Sequence, residues 1–187
     1  AFGADVAISD FVTDDLDELV GKISSAINSQ NNEIDMVITT GGTADGPRDF
    51  IKSAIAAFAG EYLIDRVKVR PGYHILLAKI ASQKGTNLAF LALPGNPQSA
   101  IAALISFGRP IIDAMRGLTP AVLVTVQMSQ EMKVQEGFAR LVPSVIGNNI
   151  CTPTNYLSSH MLRGVGAADG FALVSEAGPT RWLPIPQ

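Results

Sequence analysis

Residues 36–43 read Met36-Val37-Ile38-Thr39-Thr40-Gly41-Gly42-Thr43, and this stretch decides the fold class of the chain. A short apolar run that ends in a glycine turn is typical of a strand that is buried in a parallel sheet. The preceding residues 16–28 carry apolar side chains at helical spacing, and oxygens of residues 13–15 can cap that helix. A helix, a buried strand and a glycine turn in this order predict an α/β fold.

The same alternation of strands and helices continues on both sides of that stretch. The further predicted elements are a strand at 5–9, a helix from Gly46-Pro47 to Phe58, a hairpin of 75–80 with 88–93, and a helix at 98–107. Pro110 either kinks the last helix or starts another. We therefore predict an open, mostly parallel sheet flanked by helices over residues 1–117.

Residues 118–187 show a different pattern, with short apolar runs separated by turns. Strands are predicted at 122–127, 138–142 and 170–174, with a turn at 148–149 and a helix at 157–163. These elements predict a small β barrel or sandwich. The boundary between domains 1–117 and 118–187 is predicted at a helix stop and turn signal, residues 116–120.

Composition excludes several classes of protein. The chain has 187 residues, 47% hydrophobic and 17% charged, which is too apolar for a disordered chain. No run of 18 apolar residues predicts a membrane span, and a single cysteine, Cys151, cannot form an internal disulfide. The net charge of −3 argues against a general nucleic-acid binder. No signal peptide is visible, so we expect a cytoplasmic protein, and the start at Ala1 without Met is typical of a piece of a longer chain.

Three glycine-bearing turns are predicted at strand ends: 39–43, 70–73 and 93–99. In open α/β sheets, ligands lie beyond the carboxyl ends of the strands. Free N–H groups at helix N-termini favour phosphate or another anion, and Arg70 adds a fixed positive charge. Tight turns also select glycine and proline for their geometry alone, so a purely structural role stays open for any single turn. The three turns together favour an anion site.

Asp14, Asp45 and Asp49 are the carboxylates of interest, since each lies near the start of a predicted helix. Acidic side chains in a first turn commonly cap backbone N–H groups, so capping is one interpretation of each. A cluster of like charges around the glycine loop would instead suit a metal or a proton-transfer role.

The three turns resemble motifs of one known family, the molybdopterin molybdenumtransferases of the MoeA and gephyrin E-domain type. Residues 35–50 are similar to its strand, Gly-Gly loop and Asp segment, and residues 70–72 to its basic-Pro-Gly turn. Residues 93–100 match its Leu-Pro-Gly-Asn-Pro-x-Ser-Ala signature closely. Residues 137–140 and 158–174 resemble its C-terminal β domain, so the resemblance covers nearly the whole chain.

The resemblance implies a fold, a reaction and a set of site residues. The fold is the molybdopterin-binding fold followed by a small β-barrel-like domain. The reaction takes adenylylated molybdopterin and molybdate and inserts the metal, while Mg²⁺ or Zn²⁺ assists cleavage of the pyrophosphate bond. Asp14 and Asp49 would be catalytic, and with Asp45 would hold the divalent cation. The residues expected to bind molybdopterin are Thr40, Gly41, Gly42, Thr43, Arg70, Pro71, Gly72, Pro94, Gly95, Asn96, Pro97 and Ser99.

The chain also departs from the family pattern. The loop after Gly-Gly reads Thr43-Ala44-Asp45-Gly46-Pro47, without the family's Ser and Glu, and Tyr73 replaces the second cation of the basic turn. The family's Thr-Gly-Asp-Glu strand is expected before Ala1. The sequence therefore leaves open an active enzyme, a binding or scaffolding relative without the chemistry, and a generic nucleotide- or phosphate-binding module. A homodimer and contacts with other cofactor-biosynthesis proteins are the partners that the resemblance implies.

Overall fold

The computed structural model describes residues 2–30, 33–82, 85, 87–119, 121–155 and 162–186. The chain divides into two compact units, each built from segments that are not contiguous in sequence. We call residues 5–67 and 74–95 the α/β unit, and residues 1–4, 68–73 and 96–187 the β-rich unit. The predicted division into domains 1–117 and 118–187 stays a prediction.

The helices and strands follow one another in a mixed order along the chain. They are α1 (Leu16–Ile27), β1 (Met36–Thr40), α2 (Ile51–Ala57), β2 (Glu61–Asp65), β3 (Val69–Arg70), β4 (Leu76–Ala81), β5 (Asn87–Leu93), α3 (Pro97–Ala103), a π-helical turn (Leu104–Gly108), α4 (Arg109–Met115), β6 (Gln127–Met128), β7 (Ala139–Gly147), β8 (Ile150–Pro153), α5 (Leu162–Gly166), β9 (Gly170–Ser175) and β10 (Gly178–Pro184). None of the helices described is long and apolar enough to cross a membrane.

A four-stranded sheet in the order β1-β5-β4-β2 forms the centre of the α/β unit. β1 and β5 are parallel, while β4 is antiparallel to both of its neighbours. The sheet is therefore mixed, and the predicted mostly parallel arrangement is wrong, because the β4–β5 hairpin and β2 add antiparallel pairs. The α/β class is confirmed, and so is the hairpin that β4 and β5 form. The parallel pair matters most for function, because it brings two strand ends to the same edge.

Helices α1 and α2 bury their apolar faces against this sheet. Ile23 and Ile55 belong to one cluster with Phe90 of β5, and such side chains stabilise by about 1.5–3 kcal/mol each when fully buried. Helix α1 matches its prediction to within one residue. Its cap is Asp15, whose carboxylate accepts the N–H of Glu18 at 2.8 Å.

Two local predictions in the α/β unit are wrong. Residues 5–9 form no strand, and Val6 is 81% exposed, because within the described residues no neighbour pairs with this segment. Helix α2 begins at Ile51 rather than at Gly46-Pro47. The intervening residues close a turn, in which the N–H of Asp49 donates to the carbonyl of Gly46 at 3.0 Å.

The β-rich unit is a curled sheet in the order β10-β9-β7-β8-β6, with β3 paired to β7. Val126 donates its N–H to Thr180 of β10, whereas the next residue, Gln127, donates to Asn149 beside β8. One short segment therefore bonds at both outer sides of the sheet and gives it the predicted barrel-like form. The regular strand predicted at 122–127 is wrong for its first residues: residues 122–124 lie outside any strand, and Val122 is 89% exposed.

A long helical stretch in the β-rich unit follows the Pro94-Gly95 turn. Helix α3 passes through the π-helical turn into α4, in whose first turn Pro110 lies. The helix predicted at 98–107 is thus confirmed as helical backbone, although its last part is π-helical, and α4 begins at Arg109, one residue before Pro110. The predicted helix at 157–163 overlaps α5, but residues 156–161 lie outside those described.

Candidate functional site

The ends of β1 and β5 lie side by side in the α/β unit, because these strands are parallel neighbours. The N–H of Gly41 donates to the carbonyl of Leu93 at 3.0 Å. The hydroxyl of Thr40 donates to the carbonyl of Pro94 at 3.4 Å. The turns that follow the two strands therefore meet at one edge of the sheet.

At these paired turns, residues 41–42 and 94–95, the backbone of Gly41 has open space where a side chain would stand. Gly41 and Gly42 have φ values of +87° and +68°, a backbone conformation that residues other than glycine rarely adopt. A Cβ at Gly41 would meet no heavy atom within 4 Å in the described structure, whereas a Cβ at Gly95 would lie 3.4 Å from the Cα of Gly41. The two backbones thus approach closely, and a ligand can reach the backbone of Gly41 directly.

Asp49 closes the turn that follows the Gly-Gly loop. One of its carboxylate oxygens accepts the N–H of Gly46 at 2.8 Å. A Cβ on Gly46 would lie 2.7 Å from that oxygen, so this geometry requires glycine. The carboxylate of Asp49 is therefore already engaged in shaping the loop.

Asp45 lies in a network of two carboxylates and two cations. It pairs with Lys52 at 2.8 Å and with Arg66 at 2.9 Å, and Arg66 also contacts Asp65 at 3.2 Å. The hydrogen bond from Lys52, and next the charge of Arg66, lower the pKa of Asp45. The same hydrogen bond raises the pKa of Lys52. The negative charge of Asp45 is thus balanced by protein cations.

Asp14 is 66% exposed and lies 3.9 Å from the guanidinium of Arg48. Its neighbour Asp15, rather than Asp14 itself, caps α1. Across the residues that the structure describes, no three acidic, histidine or cysteine side chains form a group that could hold a metal ion. The donors present do not fit a ready divalent-cation site.

The predicted basic turn lies in the β-rich unit, where β3 pairs in parallel with β7. Arg70 ends β3, and Gly72 follows with a φ of +125°. The guanidinium carbon of Arg70 lies 5.1 Å from the ring centre of Phe138, and the Tyr73 ring lies 5.8 Å from the same ring. Phe138 therefore contacts both residues that flank the Pro71-Gly72 turn.

The signature that follows Gly95 starts α3 in the β-rich unit. Asn96 has extended backbone at the cap position, and Pro97 occupies the first turn. Ser99 is buried, and Gln98 is 0% exposed. Within the described structure, neither the amide nitrogen nor the amide oxygen of Gln98 has a hydrogen-bond partner.

Comparison with known proteins settles the family. Residues 1–114 match the family model described as "Probable molybdopterin binding domain". The chain belongs to this family. The process associated with this family is molybdenum cofactor biosynthesis, and the ligand of the family is molybdopterin.

Relatives of this family member include longer proteins named molybdopterin molybdenumtransferase. The Bacillus subtilis protein is 23% identical over 87% of this chain, which corresponds to 37% of that protein. The Nostoc sp. protein is 29% identical over 70% of this chain and 29% of its own length. The chain thus spans 29–37% of the length of these two relatives.

Two solved structures show the same fold. The molybdopterin biosynthesis MoeA protein from Pyrococcus horikoshii matches 91% of this chain and 39% of its own, with a TM-score of 0.64 and 22% identity. A molybdenum cofactor biosynthesis protein from Pyrococcus furiosus matches 93% of this chain and 54% of its own, with a TM-score of 0.64 and 14% identity. The predicted MoeA-like fold is confirmed.

In this molybdopterin-binding family member, the structure brings together part of the predicted site. Four of the predicted residues meet at the paired turns: Thr40, Gly41, Pro94 and Gly95. Thr43, which follows Gly42 in the sequence, is buried. The three aspartates instead contact different partners: Arg48, the Lys52 and Arg66 pair, and the Gly46 N–H. Their catalytic and metal-binding roles stay predictions.

Sequence reasoning missed four residues that shape these segments: Lys52, Arg66, Phe138 and Gln98. Lys52 could have been found from its opposite charge seven residues after Asp45. Arg66 lies 21 residues from Asp45, so no local pattern indicates that pair. Gln98 occupies the variable position of the Pro-x-Ser signature, where a buried amide is an unusual choice.

Proposed function

We propose that this chain binds molybdopterin through its phosphate at the paired turns. The observation that carries this proposal is the meeting of two glycine-bearing turns at the carboxyl ends of the parallel strands β1 and β5. Open α/β sheets hold ligands at this edge, and the absence of a side chain at glycine lets a phosphate come close to the backbone. The match of residues 1–114 to a molybdopterin-binding family supports the same ligand.

The proposal extends to the reaction of the longer relatives. Adenylylated molybdopterin and molybdate would be the substrates, and molybdenum would be inserted into the pterin. Arg70 would supply a fixed positive charge for a phosphate, as the resemblance implies. Mg²⁺ or Zn²⁺ would neutralise phosphate charge when bound. The carboxylates nearest the Gly-Gly loop are already engaged in this structure, because Asp45 is paired with two cations and Asp49 accepts a backbone N–H.

A second candidate is a relative that binds molybdopterin without inserting the metal. The pairing of Asp45 with Lys52 and Arg66 favours it, since a carboxylate so paired is a poor ligand for a further cation. Replacement of Asp14 and Asp49 by Ala separates the two candidates in cells that depend on this protein. Loss of molybdoenzyme activity with retained molybdopterin binding supports insertion, whereas unchanged activity supports binding alone.

Two glycines allow a matched test of the binding site. Gly41 and Gly85 have similar φ values of +87° and +77°, and a Cβ at either would meet nothing within 4 Å among the described residues. Gly41→Ala and Gly85→Ala should therefore strain the backbone alike, but only Gly41 lies at the paired turns.

The measurement is an anaerobic titration of each variant with molybdopterin, followed by fluorescence. We expect Gly41→Ala to weaken binding about tenfold or more, which is 1.4 kcal/mol, and Gly85→Ala to leave it unchanged. Equal affinities for the two variants, or no saturable binding by the unsubstituted chain, would contradict the proposed site.

The assembly and the location are proposed from the resemblance alone. A homodimer, contact with other cofactor-biosynthesis proteins and a cytoplasmic location all belong to the proposal. Sedimentation of the purified chain at micromolar concentration tests the homodimer, and a single monomeric species would contradict it.

A further inference from the structure

The side chain of Arg70 is held by an aromatic ring rather than by an acid. Its guanidinium carbon lies 5.1 Å from the centre of the Phe138 ring, within the range at which a cation is attracted to a ring face. In the described part of the chain, this guanidinium has no salt bridge and no side-chain hydrogen bond. Most other arginines do have polar partners, namely Arg48, Arg66, Arg109, Arg116, Arg140 and Arg181.

The backbone fixes the two residues of this pair relative to each other. Val69 and Arg70 of β3 are in register with Ala139 and Arg140 of β7, and the N–H of Ala139 donates to the carbonyl of Lys68 at 2.8 Å. Phe138 immediately precedes β7. Its position is therefore set by the same ladder that positions Arg70.

A tight turn and a second ring hold Phe138 itself. Its N–H donates to the carbonyl of Gln135 at 2.9 Å, and Gly137 has a φ of +71°. The Tyr73 ring packs on Phe138 at 5.8 Å with a tilt of 44°. Tyr73 stands where the family has a second cation, so in this chain the turn offers one cation and one ring that supports Phe138.

A guanidinium that stacks on an aromatic ring keeps its hydrogen-bonding groups available. A ring attracts the flat face of a guanidinium, whereas its N–H donors lie along the edge, in the plane. That edge matches two oxygens of a phosphate. A guanidinium that is already held also loses less conformational freedom when it binds, which strengthens binding.

We propose that Phe138 is a positioning residue that holds Arg70 for a phosphate or pyrophosphate group of the ligand, a role that rests on the proposed function. Phe138 itself does not touch the ligand. Its ring fixes the guanidinium plane, and the Arg70 edge binds the oxyanion. The adjacent Arg140 adds positive potential but donates to the carbonyl of Lys133 at 2.9 Å.

The variants separate the ring from general packing. Phe138→Leu removes the ring face, and Phe138→Tyr keeps it. Phe58→Leu is the matched control, because Phe58 is also partly buried but packs on the core of the α/β unit. Arg70→Lys tests the same contact at an exposed position, so its folding is not at risk; a lysine keeps the charge but cannot bind two oxygens along a flat edge.

Affinities for molybdopterin and for inorganic pyrophosphate are measured by calorimetry under anaerobic conditions. We expect Phe138→Leu and Arg70→Lys to weaken both about threefold or more, from the usual size of such contacts. Phe138→Tyr and Phe58→Leu should bind like the unsubstituted chain. In an Arg70→Ala background, Phe138→Leu should have no further effect on binding.

Ring-current shifts give a second readout that depends on geometry. The Nε–Hε resonance of Arg70 should move in Phe138→Leu and stay in place in Phe138→Tyr. Unchanged affinity in Phe138→Leu, or an equal loss with and without Arg70, would overturn the positioning role alone. Failure of the unsubstituted chain to bind molybdopterin would overturn the proposed function and this role with it.

Discussion

Replacement of Gln98 by Met should stabilise the protein. Gln98 is 0% exposed, and neither polar atom of its amide has a hydrogen-bond partner within the described structure. A buried polar group left without a partner costs about 1–3 kcal/mol. Met has nearly the same length and shape but no polar amide, so the variant should gain about that much in free energy of unfolding.

Trp182 offers a direct readout of this change. It is the single tryptophan of the chain and is buried in the core of the β-rich unit. Gln98 belongs to the same unit. Urea unfolding followed by its fluorescence should give a higher midpoint for Gln98→Met with an unchanged slope. Each 1 kcal/mol should also raise Tm by about 2–4 °C in a chain of this size.

Two further variants make the result decisive. Gln130→Met makes the same substitution at an exposed loop position. Its free energy of unfolding should stay within about 0.5 kcal/mol of that of the unsubstituted chain. Gln98→Glu brings a charge into the buried position and should lower the midpoint. A lower midpoint for Gln98→Met would mean that the amide is hydrogen-bonded in solution, and the reasoning would be refuted.

Three other predictions concern the α/β unit. Asp15→Ala removes the cap of α1 and should lower the free energy of unfolding, measured in urea, by about 1 kcal/mol. Asp14→Ala, at the exposed neighbouring position, should change it little, and equal losses for the two variants would contradict the cap assignment. The lowered pKa of Asp45 means that its contribution to stability is present above the ordinary carboxyl pKa of about 3.9 and is lost as pH falls through the lower folded value. The midpoint difference between the unsubstituted chain and Asp45→Asn should therefore shrink in acid, and a difference that grows in acid would reverse the sign. Gly46→Ala places a Cβ 2.7 Å from the Asp49 carboxylate and should lower the free energy of unfolding by about 1 kcal/mol, the usual worth of that hydrogen bond; an unchanged free energy of unfolding would argue against the turn.

Features that depend on neighbouring residues could be predicted from the sequence. Helix α1 has its apolar spacing and its capping oxygens within one stretch, and its ends were predicted to within one residue. The hairpin of β4 and β5 likewise follows from two apolar runs around a polar turn. The glycine turns after β1 and β5 were found as candidates because each motif is local.

Features that depend on distant partners could not be predicted in this way. The segment 5–9 alternates like a strand, yet pairing decides whether such a segment becomes one. Helix α2 starts late because the Asp49 side chain holds the preceding turn, which no spacing rule indicates. The pairing of Asp45 with two cations, one of them 21 residues away, follows from no local pattern in the sequence.

The short segment that bonds at both outer sides of the curled sheet has a consequence for folding. Thr125 and Arg181 are 56 residues apart in sequence, so their pairing requires a large loop to close and carries its entropy cost. Val126 and Trp182 each donate an N–H across this same junction, at 3.0 Å. Their amide protons should therefore exchange with solvent in a single opening event, in which the ring of strands separates at this junction while the pairing of β7 with β9 persists.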